Sequence, residues 1–273
     1  MKYKLFISDF DGTLVHSDGT ISARTKEAIA RYTAAGGIFA VCTGRMLRSI
    51  LPRLKELGIE EGLVVAYQGA MIADIKSGKL LKDEGFAFED ALKVIRLLEA
   101  DGQHIHVYAD DILYSNRDDE LLRIYEKICG VKGEVAQELL SDMVAAKRMN
   151  VTKILAMTAP DVRDGLREKL SRALGEGFFV TTSSEWLVEV MPAGQSKASA
   201  VDFLSEYYKV PHGDIAAIGD QLNDLPMLQR AGGKFAVKNG ETELKVGAIE
   251  VPSNDDDGVA FAIENYVFGV GHE

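Results

Sequence analysis

Through its first eighty residues the chain alternates short apolar runs with amphipathic stretches, and most of the runs stop at a polar turn. Leu5-Phe6-Ile7 is continuously apolar, the pattern of a strand covered on both faces, and it ends at Ser8-Asp9. Ser17-Asp18-Gly19-Thr20 reads as a turn, and Ser22 opens a helix with Ala28, Ile29 and Tyr32 at helical spacing. Gly36-Gly37 stops it. Ile38-Phe39-Ala40-Val41-Cys42 predicts a second buried strand, ending in Thr43-Gly44-Arg45. Residues 46–57 predict a helix containing Pro52, a point where it could kink. Gly62-Leu63-Val64-Val65-Ala66 predicts a third strand, and residues 71–81 a hairpin about Ser77-Gly78. This alternation argues for a doubly wound, Rossmann-like α/β core.

The texture changes near Phe86. A helix over 88–101 leads into strands at 104–108 and 112–115, then a helix over 118–129. A strand at 151–157, a helix over 160–174 opened by Pro160, and strands at 178–182 and 187–190 follow. Helix and paired strands thus occur twice, as in a small α+β domain with an antiparallel sheet. Residues 133–150 carry no clear period. After Pro192-Ala193-Gly194 the α/β texture returns: a helix over 196–208, a strand Ile215–Ile218 ending at Gly219-Asp220, and short strands at 234–237 and 248–250. An acidic turn, 254–258, precedes a closing helix. The expected organisation is a core of residues 1–82 and 193–273, with an α+β cap, 83–192, inserted into it.

Composition narrows the function classes. With 31 basic and 42 acidic residues the net charge is −11, which disfavours nucleic acid and anionic membranes as partners, and no basic cluster offsets it. Cys42 and Cys129 are far apart and belong to no metal-spaced motif, so a reducing compartment fits. The apolar run before Asp9 is too short for a signal peptide or a membrane span. The expectation is a cytoplasmic protein of open oligomeric state.

Four polar clusters follow buried runs or open helices: Asp9 and Asp11; Thr43-Gly44-Arg45; Gln195-Ser196-Lys197; and Gly219-Asp220-Gln221-Leu222-Asn223-Asp224. In an open parallel sheet, ligands bind beyond the carboxyl ends of the strands. Two acids there, two residues apart with Gly12 behind them, suggest a nucleophile and a metal together. The segment Asp9-Phe10-Asp11-Gly12-Thr13-Leu14 resembles the signature of the haloacid dehalogenase superfamily, and the other three clusters match its remaining motifs in order. The branch it is most similar to is the Cof-like phosphatases, which carry a large cap after the third strand. Asn254 through Gly258-Val259-Ala260 resembles that branch's C-terminal signature.

The resemblance implies a Mg²⁺-dependent phosphatase of a small phosphorylated metabolite, a sugar phosphate above other classes. Asp9 would be the nucleophile that forms an aspartyl-phosphate, and Asp11 would protonate the leaving oxygen and then take a proton from water. Mg²⁺ would be held by Asp9, the Asp11 backbone carbonyl and Asp220, with Asp224 joining them or standing behind. Thr43 with the backbone about Gly44, Lys197 and Asn223 would hold phosphate. Arg45 has two readings, substrate contact or salt bridge.

Other residues point elsewhere. His104 and His106 share a strand face, for which solvent exposure outweighs substrate contact. Trp186 reads as a packing residue before a sugar platform, and Cys42 as structural. Asp255-Asp256-Asp257 reads as a solvated turn before a second metal site, with Asn254 bracing the Asp220 motif. Three stretches depart from the family pattern: Gln68-Gly69 in place of Asn-Gly, Ala198 in place of Gly, and Lys238-Asn239-Gly240 in place of Gly-Asn-Ala. Two rival functions remain. A phosphomutase would need a second phosphate pocket, for which Arg117, Arg123 and Arg148 are available; a phospho-acceptor or sugar-phosphate-binding module without turnover would need neither Asp11 nor a cap.

Overall fold

The computed structural model describes residues 1–268. In chain order the strands are β1 (Leu5–Ser8), β2 (Ile38–Cys42), β3 (Leu63–Ala66), β4 (Met71–Asp74), β5 (Leu80–Asp83), β6 (His104–Ala109), β7 (Ile112–Ser115), β8 (Glu134–Val135), β9 (Val151–Met157), β10 (Phe178–Ser184), β11 (Leu187–Pro192), β12 (Ile215–Gly219), β13 (Gly233–Val237) and β14 (Ile249–Val251). The helices are α1 (Ala23–Ala34), α2 (Leu47–Glu56), α3 (Phe88–Ala100), α4 (Glu120–Cys129), α5 (Leu140–Lys147), α6 (Pro160–Leu174), α7 (Lys197–Tyr208), α8 (Leu225–Arg230), α9 (Thr242–Lys245) and α10 (Gly258–Ala262). Among the described residues no helix is long and apolar enough to cross a membrane. The chain divides into two compact units, one of residues 1–44, 51–82 and 196 onward, the other of Arg45–Ile50 and Asp83–Gln195.

The first unit is built on an eight-stranded sheet ordered β14-β13-β12-β1-β2-β3-β4-β5. It is parallel from β14 to β3 and turns antiparallel at β3–β4. The apolar run at β1 explains the double cover. Leu5 and Ile7 pack on one face with Ala200, Val201 and Leu204 of α7. Phe6 faces the other way, stacked on Phe39 at 6.1 Å and edge-on to Tyr32 of α1 at 6.3 Å. Side chains alternate across a strand, so one short run feeds two cores. Capping fixes the helix starts: the Ser22 hydroxyl accepts from Thr25 N at 3.0 Å, and the Ser196 hydroxyl accepts from Ala198 N at 3.2 Å. The second cap sets Lys197 at the first position of α7.

The second unit carries a six-stranded sheet ordered β10-β11-β9-β6-β7-β8. Its pairings are antiparallel except β7 with β8, which is parallel. One face buries Ile105, Val107, Ile154, Val188 and Val190 against α3, α5 and α6. The segment without clear period supplies β8 and α5, and Leu140, Met143 and Val144 of α5 join that core.

The opposite face is polar and yet buried, which corrects the expectation for the two histidines. His104 and His106 are both buried. Their rings meet edge-on at 4.9 Å, and Tyr125 of α4 covers His106 at 4.5 Å. Asp119, the N-cap of α4, accepts from Leu122 N and lies 3.0 Å from His104 Nε2. Trp186 is also corrected: it is 45% exposed at the tip between β10 and β11.

Candidate active site

Register puts the acids together before any side chain is considered. β1 lies between β12 and β2, with Ser8 level with Ile218 and Val41, so the residues after these strands emerge at one edge. Asp9 N donates to Ile218 O at 3.0 Å and continues the ladder by one residue. The chain then makes a wide turn over Phe10–Leu14, closed by Val15 N on Phe10 O at 3.1 Å. Phe10 is buried, and Asp11, in extended backbone, is exposed. Gly12 has φ +76, and a Cβ there would stand 2.6 Å from Asp220 Oδ2. Only glycine admits both that conformation and that approach.

Lys197 is the hub. Its buried ammonium donates to Asp9 Oδ1 and, at 2.5 Å, to Asp224 Oδ1. Asp224 spends its other oxygen on the backbone N–H groups of Asp220 at 2.9 Å and Gln221 at 3.0 Å. Asp220 Oδ1 accepts from the Thr13 hydroxyl at 2.8 Å, and its Oδ2 from Gln221 Nε2 at 3.3 Å. Asp9, Asp220 and Asp224 each offer an oxygen within 4.8 Å of the others. Two carboxylates therefore hold one ammonium, with a third beside them.

The electrostatics follow from that count. Burial pushes the Asp9 carboxyl well above the usual range, with Lys197 opposing and Asp224 and Asp220 adding to the rise. Burial and then the Asp224 charge push Asp220 up to about 7, against the Thr13 hydrogen bond. Burial alone would lower Lys197, but Asp224 and Asp9 hold it well above its ordinary value. The ammonium is thus fixed in its charged form.

This donor set fits a hard divalent cation. It is all oxygen and sets three carboxyl groups beside a single ammonium. The Oδ1 of buried Asn223 has no hydrogen-bond partner, which leaves an unused acceptor just after β12. Asp9 and Asp220 are the carboxylates suited to ligation. Asp224 also offers an oxygen to that group, while its present bonds to the Lys197 ammonium and to two backbone N–H groups hold Lys197 and the Asp220 loop.

The remaining expected residues are distributed less tightly. Thr43 is buried directly after β2; its N–H donates to Val65 O and its carbonyl accepts from Gln68 N. Gly44 follows it in the same unit. Arg45 belongs to the second unit, where its Nη1 lies 3.4 Å from Ser49 Oγ. Asn254 does not reach Asp220. Its Nδ2 donates to Val15 O at 2.9 Å, so it braces the turn after β1 instead. The acidic turn beside it is engaged in protein hydrogen bonds: Asp255 accepts from Ser17 N and Oγ, and Asp257 from Thr25 Oγ1. Cys42 is buried and its thiol is pushed up to about 12 by burial, as befits a structural residue.

Three contributors were given no role by the sequence: Thr13 and Gln221 on Asp220, and Asn239 on Gly12. Thr13 lay within the quoted signature, and Gln221 within the Asp220 segment. A cavity of about 500 Å³ is lined by Ile29, Phe39, Leu57 and Glu60 together with Ile38 and Gly62 at the amino ends of β2 and β3, and by none of the clustered residues.

Comparison with known proteins agrees with this geometry. A family model described as haloacid dehalogenase-like hydrolase matches residues 6–263. The chain is 30% identical over 288 residues to the 5-amino-6-(5-phospho-D-ribitylamino)uracil phosphatase YwtE of Bacillus subtilis, covering 97% of this chain and 99% of that one. It is 29% identical over 236 residues to the HMP-PP phosphatase of Cronobacter sakazakii, covering 86% and 84%. Among solved structures, a haloacid dehalogenase-like hydrolase from Bacteroides thetaiotaomicron superposes with a TM-score of 0.80 at 26% identity, over 96% of this chain and 99% of that one. With its parallel-sheet core, its second sheet and its carboxylates gathered about one buried lysine, the chain belongs to the haloacid dehalogenase-like hydrolases.

Proposed function

We propose that the protein is a Mg²⁺-dependent phosphatase of a small phosphorylated metabolite, working through an aspartyl-phosphate on Asp9. The observation that carries this is the Lys197 ammonium, buried between Asp9 and Asp224 beside Asp220. Uncatalysed phosphate-monoester hydrolysis is among the slowest reactions known, so positioning and charge neutralisation must supply most of the acceleration. A fixed ammonium against a nucleophilic carboxylate is one such device.

Asp9 attacks phosphorus as the bond to the leaving oxygen breaks. Asp11 gives its proton to that oxygen. Water then attacks the phosphoryl group, its proton goes to Asp11, and the bond to Asp9 breaks to release inorganic phosphate. Lys197 screens the incoming phosphate from Asp9, while Thr43, the backbone about Gly44 and Asn223 bind its oxygens. Asp9, the Asp11 carbonyl and Asp220 would hold a divalent cation, which would supply charge neutralisation at the phosphoryl group. In this reading residues 1–82 and 193–273 form the catalytic core and residues 83–192 the cap that selects the leaving group, with Arg45 as a candidate contact.

A sugar phosphate is the favoured class, and the names of the phosphatases similar to this chain support small phosphorylated metabolites generally. The mutase reading gains nothing from the structure. Arg117 donates to Gly102 O, Arg123 pairs with Asp118 and Glu126, and Arg148 lies over the Phe88 ring at 4.5 Å. The test is phosphate release from sugar phosphates, nucleotides and p-nitrophenyl phosphate, with Mg²⁺ and with EDTA, beside Asp9→Asn. Metal-dependent release that vanishes in the variant is expected; release that survives Asp9→Asn contradicts the proposal.

A further inference from the structure

The stretch Lys238-Asn239-Gly240 departs from the family pattern on both sides of its asparagine, and the functional reading above leaves it unused. It directly follows β13. The Asn239 Nδ2 donates to Gly12 O at 2.8 Å, while its Oδ1 accepts from Asn254 N at 3.0 Å. Asn254 in turn donates to Val15 O. One residue on, Gly240 packs so closely on Asp220 that a Cβ would stand 2.9 Å from its carbonyl oxygen. Glu241 N then donates to that same carbonyl at 2.8 Å.

We propose that Asn239 is a positioning residue for Asp11, clamping the Gly12 carbonyl to the segment that also holds Asp220. The proposal rests on the phosphatase reading and deepens it. Gly12 is the residue where a clamp matters most, because glycine has no side chain to restrict φ and ψ. Asp11 immediately precedes it, so the backbone that carries the acid runs directly into the clamped residue. Thr13 is tied to Asp220 and Val15 to Asn254; the Asn239 bond completes the restraint at the residue adjoining the acid. A general acid contributes only within hydrogen-bond reach of its target, and a shift of about 1 Å can cost about a hundredfold. Asn239 is itself exposed, so its truncation should leave the fold intact.

The leaving group separates positioning of the acid from general damage. p-Nitrophenolate departs without a proton, whereas the alkoxide of glucose 6-phosphate needs one. kcat/KM, which reports phosphoryl transfer to Asp9, is measured on both compounds with Mg²⁺ for wild type, Asn239→Ala and Asn239→Asp. The aspartate keeps the acceptor for Asn254 N and loses the donor to Gly12, and it carries the test if the alanine variant fails to fold. The expected result is a loss on glucose 6-phosphate about tenfold to a hundredfold greater than on p-nitrophenyl phosphate, for both variants. Equal losses on the two compounds, or no loss, overturn the role of Asn239 while leaving the phosphatase intact. Release from neither compound by the wild type overturns the phosphatase reading on these substrates, and the clamp with it. If only p-nitrophenyl phosphate is cleaved, the best alkyl phosphate of the panel replaces glucose 6-phosphate.

Discussion

Two lysines are buried among the described residues, and their surroundings differ in one respect that decides their chemistry. Lys153, on the polar face of the second sheet, donates to Glu189 Oε1 at 2.9 Å and lies over the Tyr108 ring at 5.2 Å. Glu189 also accepts from Ser183 Oγ at 2.5 Å. Lys153 and Glu189 form a buried ion pair. Lys197 faces two carboxylates directly and a third beside them. In a buried ion pair the mutual attraction offsets much of what it costs to take the charges out of water, so the pair as a whole contributes little. A cluster of three carboxyl groups beside one ammonium is open, because it is stabilised further by a cation and can then receive an anionic phosphate. The difference teaches that burial of a charge marks structure or chemistry according to the groups gathered about it.

The comparison breaks most visibly at Lys197. Lys197→Met should reduce Mg²⁺-dependent phosphate release by about a thousandfold or more, in line with the loss of a main charge-stabilising group. An equal fall in a folded Lys153→Met variant would erase the distinction. Lys153→Met should instead lower stability by about 3–5 kcal/mol by removing the ammonium from buried Glu189, read from urea unfolding. Lys153→Met with Glu189→Leu should recover most of that, since the pair as a whole contributes little. A double variant as unstable as the single one would contradict that reading of the pair.

A smaller effect sharpens the picture of the second unit's buried face. Burial pushes His106 down to about 3; His104 and Lys153 add to the fall, while Asp119 and Glu126 oppose it. Its folded value lies below the unfolded one, so between the two the unfolded chain binds the extra proton. The contribution is complete above about pH 6.5 and is lost as pH falls toward 3, at up to about 1.4 kcal/mol per pH unit. The stability difference between wild type and His106→Phe, measured by urea unfolding from pH 7 to 4, should follow that slope. A pH-independent difference would place His106 in water. Smallest of all, Arg24→Ala removes an exposed pair with Glu264 and should change stability by less than about 1 kcal/mol in the same assay.

What was legible in the sequence is what local pattern determines. β1, β2 and β3 are continuous apolar runs because both faces are covered, and the acids after β1 and β12 follow such runs directly. Register then brings Asp9 and Asp220 together with no further information. β8 has only two residues and α5 eight, too few for a period to emerge, and α5 is recognisable only once Leu140 and Val144 meet α3. The burial of His106 depends on Tyr125 arriving from another element, which alternation along β6 cannot reveal. Trp186 shows the converse, a residue type that suggests burial set at a hairpin tip. Asn239 is an exposed polar residue in a loop, and its importance lies wholly in which carbonyl it meets.

The most direct test of the account is to look for the phosphoryl group on Asp9. Wild-type protein is mixed with p-nitrophenyl phosphate and Mg²⁺, quenched in acid within one turnover, and digested for mass spectrometry. The account predicts a hydroxylamine-sensitive phosphoryl group on Asp9, absent when EDTA replaces Mg²⁺. Full product formation with no label on the protein, or label on another residue, would contradict it.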